Sequence, residues 1–259
     1  MFTLSATVIA LCALAALVAG FIDAIAGGGG LITLPTLLLA GVPPHFTLGS
    51  NKFGSTLGTL VALGNFARSH LVQWRMALWG LGFSLAGAWA GSLLTLYFDA
   101  AQLGKALVAL LPFGMLATLM PRKERPDGER PLCGWRFWFL LPVTCFAIGA
   151  YDGFFGPATG SFLILAFHWI LGTSLLAASA TAKVLNLASN FAAACVFVWS
   201  GKVLWPLALA MAVASMTGNW LGSRMAIRIG PAMVRRFLVF SLSLLLLTLV
   251  WRYFLSPGM

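Results

Sequence analysis

Apolar residues run through this chain in blocks, at about 4–26, 30–42, 44–66, 74–98, 102–120, 136–152, 157–171, 174–199, 203–226 and 232–254. Most are close to the ~20 residues that a helix needs to cross a hydrocarbon core of about 30 Å. Two are not. The blocks 30–42 and 157–171 reach only about 20 Å at 1.5 Å per residue, too little to cross unaided. Between the fifth and sixth blocks lies PRKERPDGERPLCG, residues 121–134, the one clearly solvated stretch. It divides the chain into a first membrane repeat (1–120), a loop (121–134) and a second membrane repeat (135–259).

The two parts resemble each other. SHLVQW at 69–74 matches SGKVLW at 200–205, and GAWAGS at 87–92 matches GNWLGS at 218–223, both at an offset of 131. The same offset carries Gly41 onto Gly172 and Lys52 onto Lys183. Slightly earlier, GFIDAIAG at 20–27 matches GAYDGFFG at 149–156 at an offset of 129. An internal duplication of five segments each accounts for these matches. Five is odd, so the second copy must sit upside down relative to the first.

Charge agrees with that inversion. With the central loop in the cytoplasm, Arg122, Lys123, Arg125, Arg130 and Arg136 fall inside, joined by Arg68 and Arg75 and by Arg224, Arg228, Arg235 and Arg236. Only Lys105, Lys202 and Arg252 fall outside. Basic residues concentrate on the cytoplasmic side of membrane proteins, so both termini are predicted to be extracytoplasmic. The fold class expected is an all-α integral membrane protein of two inverted-topology repeats, a common plan of secondary transporters, with the substrate site near mid-membrane where the repeats meet.

Composition points the same way. Of the 259 residues, 60% are hydrophobic and 8% are charged, whereas a soluble domain carries about 25% charged residues. The net charge of +10 is therefore read as membrane orientation, with no nucleic acid as a partner. The partners expected are the lipid bilayer and a small anionic substrate; a coupling ion (proton or sodium) and a homo-oligomer stay open. The N-terminal block lacks a basic leader and is read as a retained first helix. Cys12, Cys133, Cys145 and Cys195 are scattered, with no metal-ligand spacing. Three read as core residues and Cys133 as a loop thiol. His45, His70 and His168 have no ligand partner at i+3 or i+4. No catalytic constellation, metal site or cofactor motif is present in the sequence, and no enzyme activity is expected.

The chemistry sits where the apolar pattern breaks. In each repeat a long helix ends at an acid, glycines follow, and a short helix leads away: Asp23 then Gly27, Gly28, Gly29 and Gly30; Asp152 then Gly156, Pro157 and Gly160. This predicts broken or re-entrant hairpins near Gly27–Gly30 and Gly156–Gly160, buried in protein, because lipid does not tolerate exposed irregular backbone. The short helices start there with unpaired N–H groups and a positive dipole end, which suit an anion. Lys52 and Lys183 each follow by nine residues a helix opener, Pro43 or Ser174, and so lie about 13 Å into the bilayer. Ser55 and Thr59 after Lys52, and Asn186 and Asn190 after Lys183, continue a polar stripe on one helical face. Two lysines face two aspartates within the membrane. They form structural ion pairs, or the lysines bind an anion while an aspartate handles a coupling ion.

On GFIDAIAGGGGLITLP, on LGSNK at 48–52, and on YDGFFGPATGSF (151–162) and TAKVLNLASN (181–190), the chain resembles the TauE/SafE sulfite exporter family. The resemblance covers nearly the whole chain. It implies a multi-pass transporter in a bacterial cytoplasmic (inner) membrane moving a sulfur-containing anion of the sulfite, sulfonate or sulfoacetate type. The alternative is a cation- or proton-coupled transporter of another substrate with Asp23 and Asp152 as the ion site. The motif positions carried over are Asp23, Gly27 to Gly30, Asn51, Lys52, Asp152, Gly156, Gly160, Lys183, Asn186 and Asn190. With Thr159 added for its place in the second break, the expected substrate-binding set is Asn51, Lys52, Lys183, Gly28, Gly29, Gly30, Thr159, Gly160, Asn186 and Asn190. Ala182 stands opposite Asn51, so a symmetric site is not expected.

Overall fold

A computed structural model describes residues 4–119 and 134–229, and the block expected at 232–254 and the central loop at 121–133 lie outside the described residues. In chain order the described helices are α1 (Ala6–Ala26), α2 (Gly30–Leu39), α3 (Pro44–Arg68), α4 (Trp74–Thr95), α5 (Ala100–Leu119), a π-helical turn (Arg136–Leu140), α6 (Leu141–Phe154), α7 (Thr159–Leu171), α8 (Leu175–Trp199) and α9 (Trp205–Ile229). The described residues contain no strand. α1, α4, α5, α8 and the π-helical turn continued into α6 each contain a stretch long and apolar enough to cross a membrane. This is an all-α integral membrane protein.

Most element ends follow local chemistry. Ser5 caps α1 through its hydroxyl, which accepts from the Val8 N–H at 3.3 Å, and Ser174 caps α8 through the Ala177 N–H at 3.3 Å. These are N-cap bonds that satisfy otherwise orphaned donors. Pro44 opens α3, where its missing N–H costs nothing. α1 closes on Gly27 with φ of 78°, the left-handed geometry that glycine adopts freely. One block differs from its sequence reading: the stretch from residue 136 begins as a π-helical turn and becomes α-helical only at Leu141. Pro142 cannot donate to the preceding turn, and the register shift falls immediately before it.

The exterior is apolar, and a set of polar side chains is buried inside among apolar core clusters. Leu11, Leu14, Trp74, Phe113, Trp138, Phe191 and Val213 are exposed, as lipid-facing residues of a membrane protein should be. Lys52, Lys183, Asp152, Asn51, Asn186, Asn190 and Asn219 are all buried. α3 and α8 carry most of that polar surface, and both are covered by protein.

The two parts of the chain interlock. α1 packs most extensively on α9, and its counterpart α6 on α4, while α3 packs on α8 and α9 and α4 packs on α8. Glycines allow the closest approaches. Gly87 and Gly91 of α4 lie against the backbone of α6, and Gly218 and Gly222 of α9 lie against that of α1. Each pair is spaced four apart, the small-xxx-small pattern that lets membrane helices approach backbone to backbone. The GAWAGS and GNWLGS segments are thus two equivalent helix–helix seams.

Candidate functional site

The breaks after α1 and α6 meet. A Cβ placed on Gly160 would lie 2.6 Å from the Cα of Gly27, and one on Gly27 would collide with the Gly160 backbone. Only glycine on both sides permits this contact. Ser161, in the first turn of α7, straps the two together: its N–H donates to the Gly27 carbonyl at 3.1 Å and its hydroxyl to the Ala26 carbonyl at 2.6 Å. The C-terminal carbonyls of α1 are thereby satisfied by the other repeat, which answers the demand that buried backbone groups find partners. The N-termini of α2 and α7 open at the same place, bringing two positive dipole ends together.

Two ion pairs flank that junction, and both cross between the repeats. Lys52 Nζ lies 2.7 Å from Asp152 Oδ1, and Lys183 Nζ lies 2.7 Å from Asp23 Oδ2. Lys52 and Lys183 occupy the same place in two helices of 25 residues each, and both are 1% exposed, so neither snorkels to a headgroup region. Lys183 also donates to the Asp23 backbone carbonyl. Asp23 Oδ1 accepts from the Gly29 N–H at 3.3 Å. Lys52 donates to Asn190 Oδ1 at 3.2 Å, and Asn190 is itself held by the Asn186 carbonyl at 2.8 Å. Gly156 makes room for the Lys52 ammonium, since a Cβ there would sit 2.8 Å from Nζ.

The two pairs are not equivalent. The Asp152 side chain is 2% exposed and that of Asp23 17%. The Thr159 hydroxyl lies 2.5 Å from Asp152 Oδ1, a charge-assisted bond, whereas Asp152 Oδ2 has no partner among the described residues. Paired lysines and aspartates leave the cluster formally neutral. Buried charges survive in low dielectric only with such pairing.

A cavity of about 30 Å³ lies at this junction, room for one or two waters. Of the residues expected from sequence to bind substrate or ion, Asp23, Gly29, Gly30, Asn51, Lys52, Asp152, Thr159, Gly160, Asn186 and Asn190 line it. Gly28 and Lys183 do not; Lys183 is occupied entirely by Asp23. Asn51 is held by Thr33, whose hydroxyl donates to its Oδ1 at 2.6 Å. Ser55 and Thr59, the polar stripe below Lys52, also line the cavity. Sequence reasoning missed Thr33, Ser215 and Asn219. The last had a signal in the duplication, because GNWLGS carries Asn219 where GAWAGS carries Ala88. Among the described residues no group of three or more His, Cys, Asp or Glu side chains could hold a metal ion.

Comparison with known proteins adds a family. Residues 12–249 match the model for the sulfite exporter TauE/SafE family. The chain is 40% identical over 231 residues to the probable membrane transporter protein ORF9 of Sinorhizobium, covering 87% of this chain and 85% of that one. It is 37% identical over 225 residues to the probable membrane transporter protein YfcA of Escherichia coli K12, covering 86% and 82%. A probable membrane transporter protein of Haemophilus influenzae is 39% identical over 223 residues, 86% of each chain. No solved structure matches.

Proposed function

The chain belongs to the TauE/SafE family of sulfite exporters, and on that footing we propose that it is a secondary transporter of a small sulfur-containing anion, of the sulfite, sulfonate or sulfoacetate type. Transport, rather than catalysis, is its activity. The observation that carries the reading is the pair of buried lysines, each shared with an aspartate of the opposite repeat beside two converging helix N-termini. An anion entering the cavity competes with Asp152 for the Lys52 ammonium. Its oxygens exchange lost water for hydrogen bonds from Lys52 and Asn51, beside the positive dipole ends of α2 and α7.

Charge balance gives the coupling. The four charged side chains sum to zero, so an anion alone would leave net negative charge in a low-dielectric interior, at a cost of several kcal/mol. A cation arriving with it removes that cost. A proton on Asp152 both neutralises the cluster and releases Lys52 for the substrate. We therefore place Asp152, with Asp23 behind it, as the coupling-ion site. The cavity has room for one or two waters, less than a sulfur oxyanion of four or more heavy atoms needs, so loading requires the helices around it to part. The inverted repeats, 1–120 and 135–259, would supply the two access states in turn. The protein would lie in the bacterial inner membrane, with loop 121–134 cytoplasmic and both termini outside.

Proteoliposomes decide it. Wild-type protein should move labelled sulfite or a small sulfonate, with a pH gradient driving accumulation, and Lys52→Ala/Lys183→Ala should abolish the flux. Full activity in that double variant would remove the mechanism. A second reading is favoured by the unpartnered Asp152 Oδ2: the aspartates bind the driving ion for another substrate, with the lysines as partners. In that case Asp→Asn abolishes transport while Lys→Gln retains part of it.

A further inference from the structure

The lining of the cavity is not charged throughout. It also includes four neutral polar residues, Ser55 and Thr59 of α3 and Ser215 and Asn219 of α9. Asn219 is 2% exposed. Its Nδ2 donates to the Ser215 carbonyl at 3.0 Å and approaches Ser215 Oγ at 3.3 Å. The amide cannot be turned over, because its oxygen would then face the Ser215 carbonyl, acceptor against acceptor. Oδ1 is left buried and without a partner among the described residues. A buried acceptor in that state is costly unless something supplies a donor.

Packing does not account for this amide. It fits only because Gly20 and Gly58 flank it: a Cβ on either would come within 2.8 Å or 2.6 Å of Nδ2. The other repeat builds the same seam with Ala88 in the equivalent position, so the helix pair closes well without it. The two seams thus differ by this amide, and it belongs to a residue lining the cavity.

Building on the anion reading of the charged cluster, we infer that these four residues form a subsite for the organic tail of the substrate, and that Asn219 selects anions whose tail carries an O–H or N–H donor. The sulfonate head would lie at Lys52 and the tail would run toward α9, its donor meeting Asn219 Oδ1. Once loading has widened the cavity, a tail ending in a methyl group would lie beside that oxygen and leave it unsatisfied. Sites built to hydrogen-bond a substrate discriminate strongly against analogues lacking the group.

The test is a ligand-stabilisation titration of the purified full chain with ethanesulfonate, 2-hydroxyethanesulfonate and 2-aminoethanesulfonate. Wild-type protein should bind at least one donor-bearing member about tenfold more tightly than ethanesulfonate, the scale of one neutral hydrogen bond. Asn219→Ala, a side chain the matching seam already carries, should bring that ratio to within about twofold. Equal binding of all three by the wild type overturns the inference, as does an undiminished ratio in Asn219→Ala. If the variant is not recovered folded, the wild-type ratio alone decides. Binding of none of the three overturns this inference together with the sulfonate reading, whereas equal binding leaves that reading standing.

Discussion

Lys52 and Lys183 are matched by the duplication, yet their removal should have unequal consequences. Lys52→Met deletes the ammonium and keeps the stem. It leaves Asp152, 1% exposed, with only the Thr159 hydroxyl on Oδ1 and nothing on Oδ2. Breaking a buried pair by removing one partner costs about 3–5 kcal/mol, a hundredfold or more in the folding equilibrium. Lys183→Met exposes Asp23 differently. That side chain is 17% exposed and keeps the Gly29 N–H, so the loss should be about 1–2 kcal/mol, between the buried and exposed limits. The double variant Lys52→Met/Asp152→Leu should recover most of the loss, since replacing both charges by apolar groups is often neutral. Equilibrium unfolding in mixed micelles across the four members of this cycle reads the coupling directly. A coupling below about 0.5 kcal/mol, or equal costs for the two lysine variants, would refute the account.

Further outcomes follow from other contacts. Gly160→Ala should abolish recovery of folded protein, judged by size-exclusion after detergent extraction, because its Cβ has 2.6 Å to the Gly27 Cα; Gly41→Ala, with φ of 81° but open space around it, should cost only about 1–2 kcal/mol and remain folded. Gly218→Val should weaken the α1–α9 seam and lower thermal stability markedly, whereas Gly82→Val, with nothing near it, should leave the melting temperature within a few degrees. Orientation is testable with a membrane-impermeant thiol reagent on intact cells: Tyr97→Cys and Trp199→Cys, at sites 87% and 89% exposed, should be labelled, and His70→Cys only after permeabilisation. Labelling in the reverse pattern would overturn the proposed topology.

How much was legible depends on whether local chain arithmetic sufficed. The place of Lys52 nine residues past a helix opener could be counted along the chain, and the residue lies buried in α3. The breaks were readable because glycine after an acid has few other uses in an apolar run. What the lysines touch was not readable. Asp152 lies 100 positions after Lys52, and the pairing depends on each repeat lending its first helix to the other's fourth. That exchange is written in GAWAGS and GNWLGS, but as the absence of side chains, which looks in sequence like simple repetition. The shift to π geometry before Leu141 escaped because apolar periodicity does not report backbone register. Ser215 and Asn219 escaped because their role arises where α9 crosses α1 and α3, far away in the chain.

The exchange of helices also bears on biogenesis. When the ribosome has delivered only the first repeat, the surface of α1 that will receive Gly218 and Gly222 is bare, and α4's glycine stripe has nothing to grip. Each lysine likewise waits for a counter-charge not yet translated, or already inserted and unclaimed. Closure of these seams therefore has to wait for the second repeat. A chain cut short before α9 should meet the cell's membrane quality control as an incomplete product, not as half a transporter.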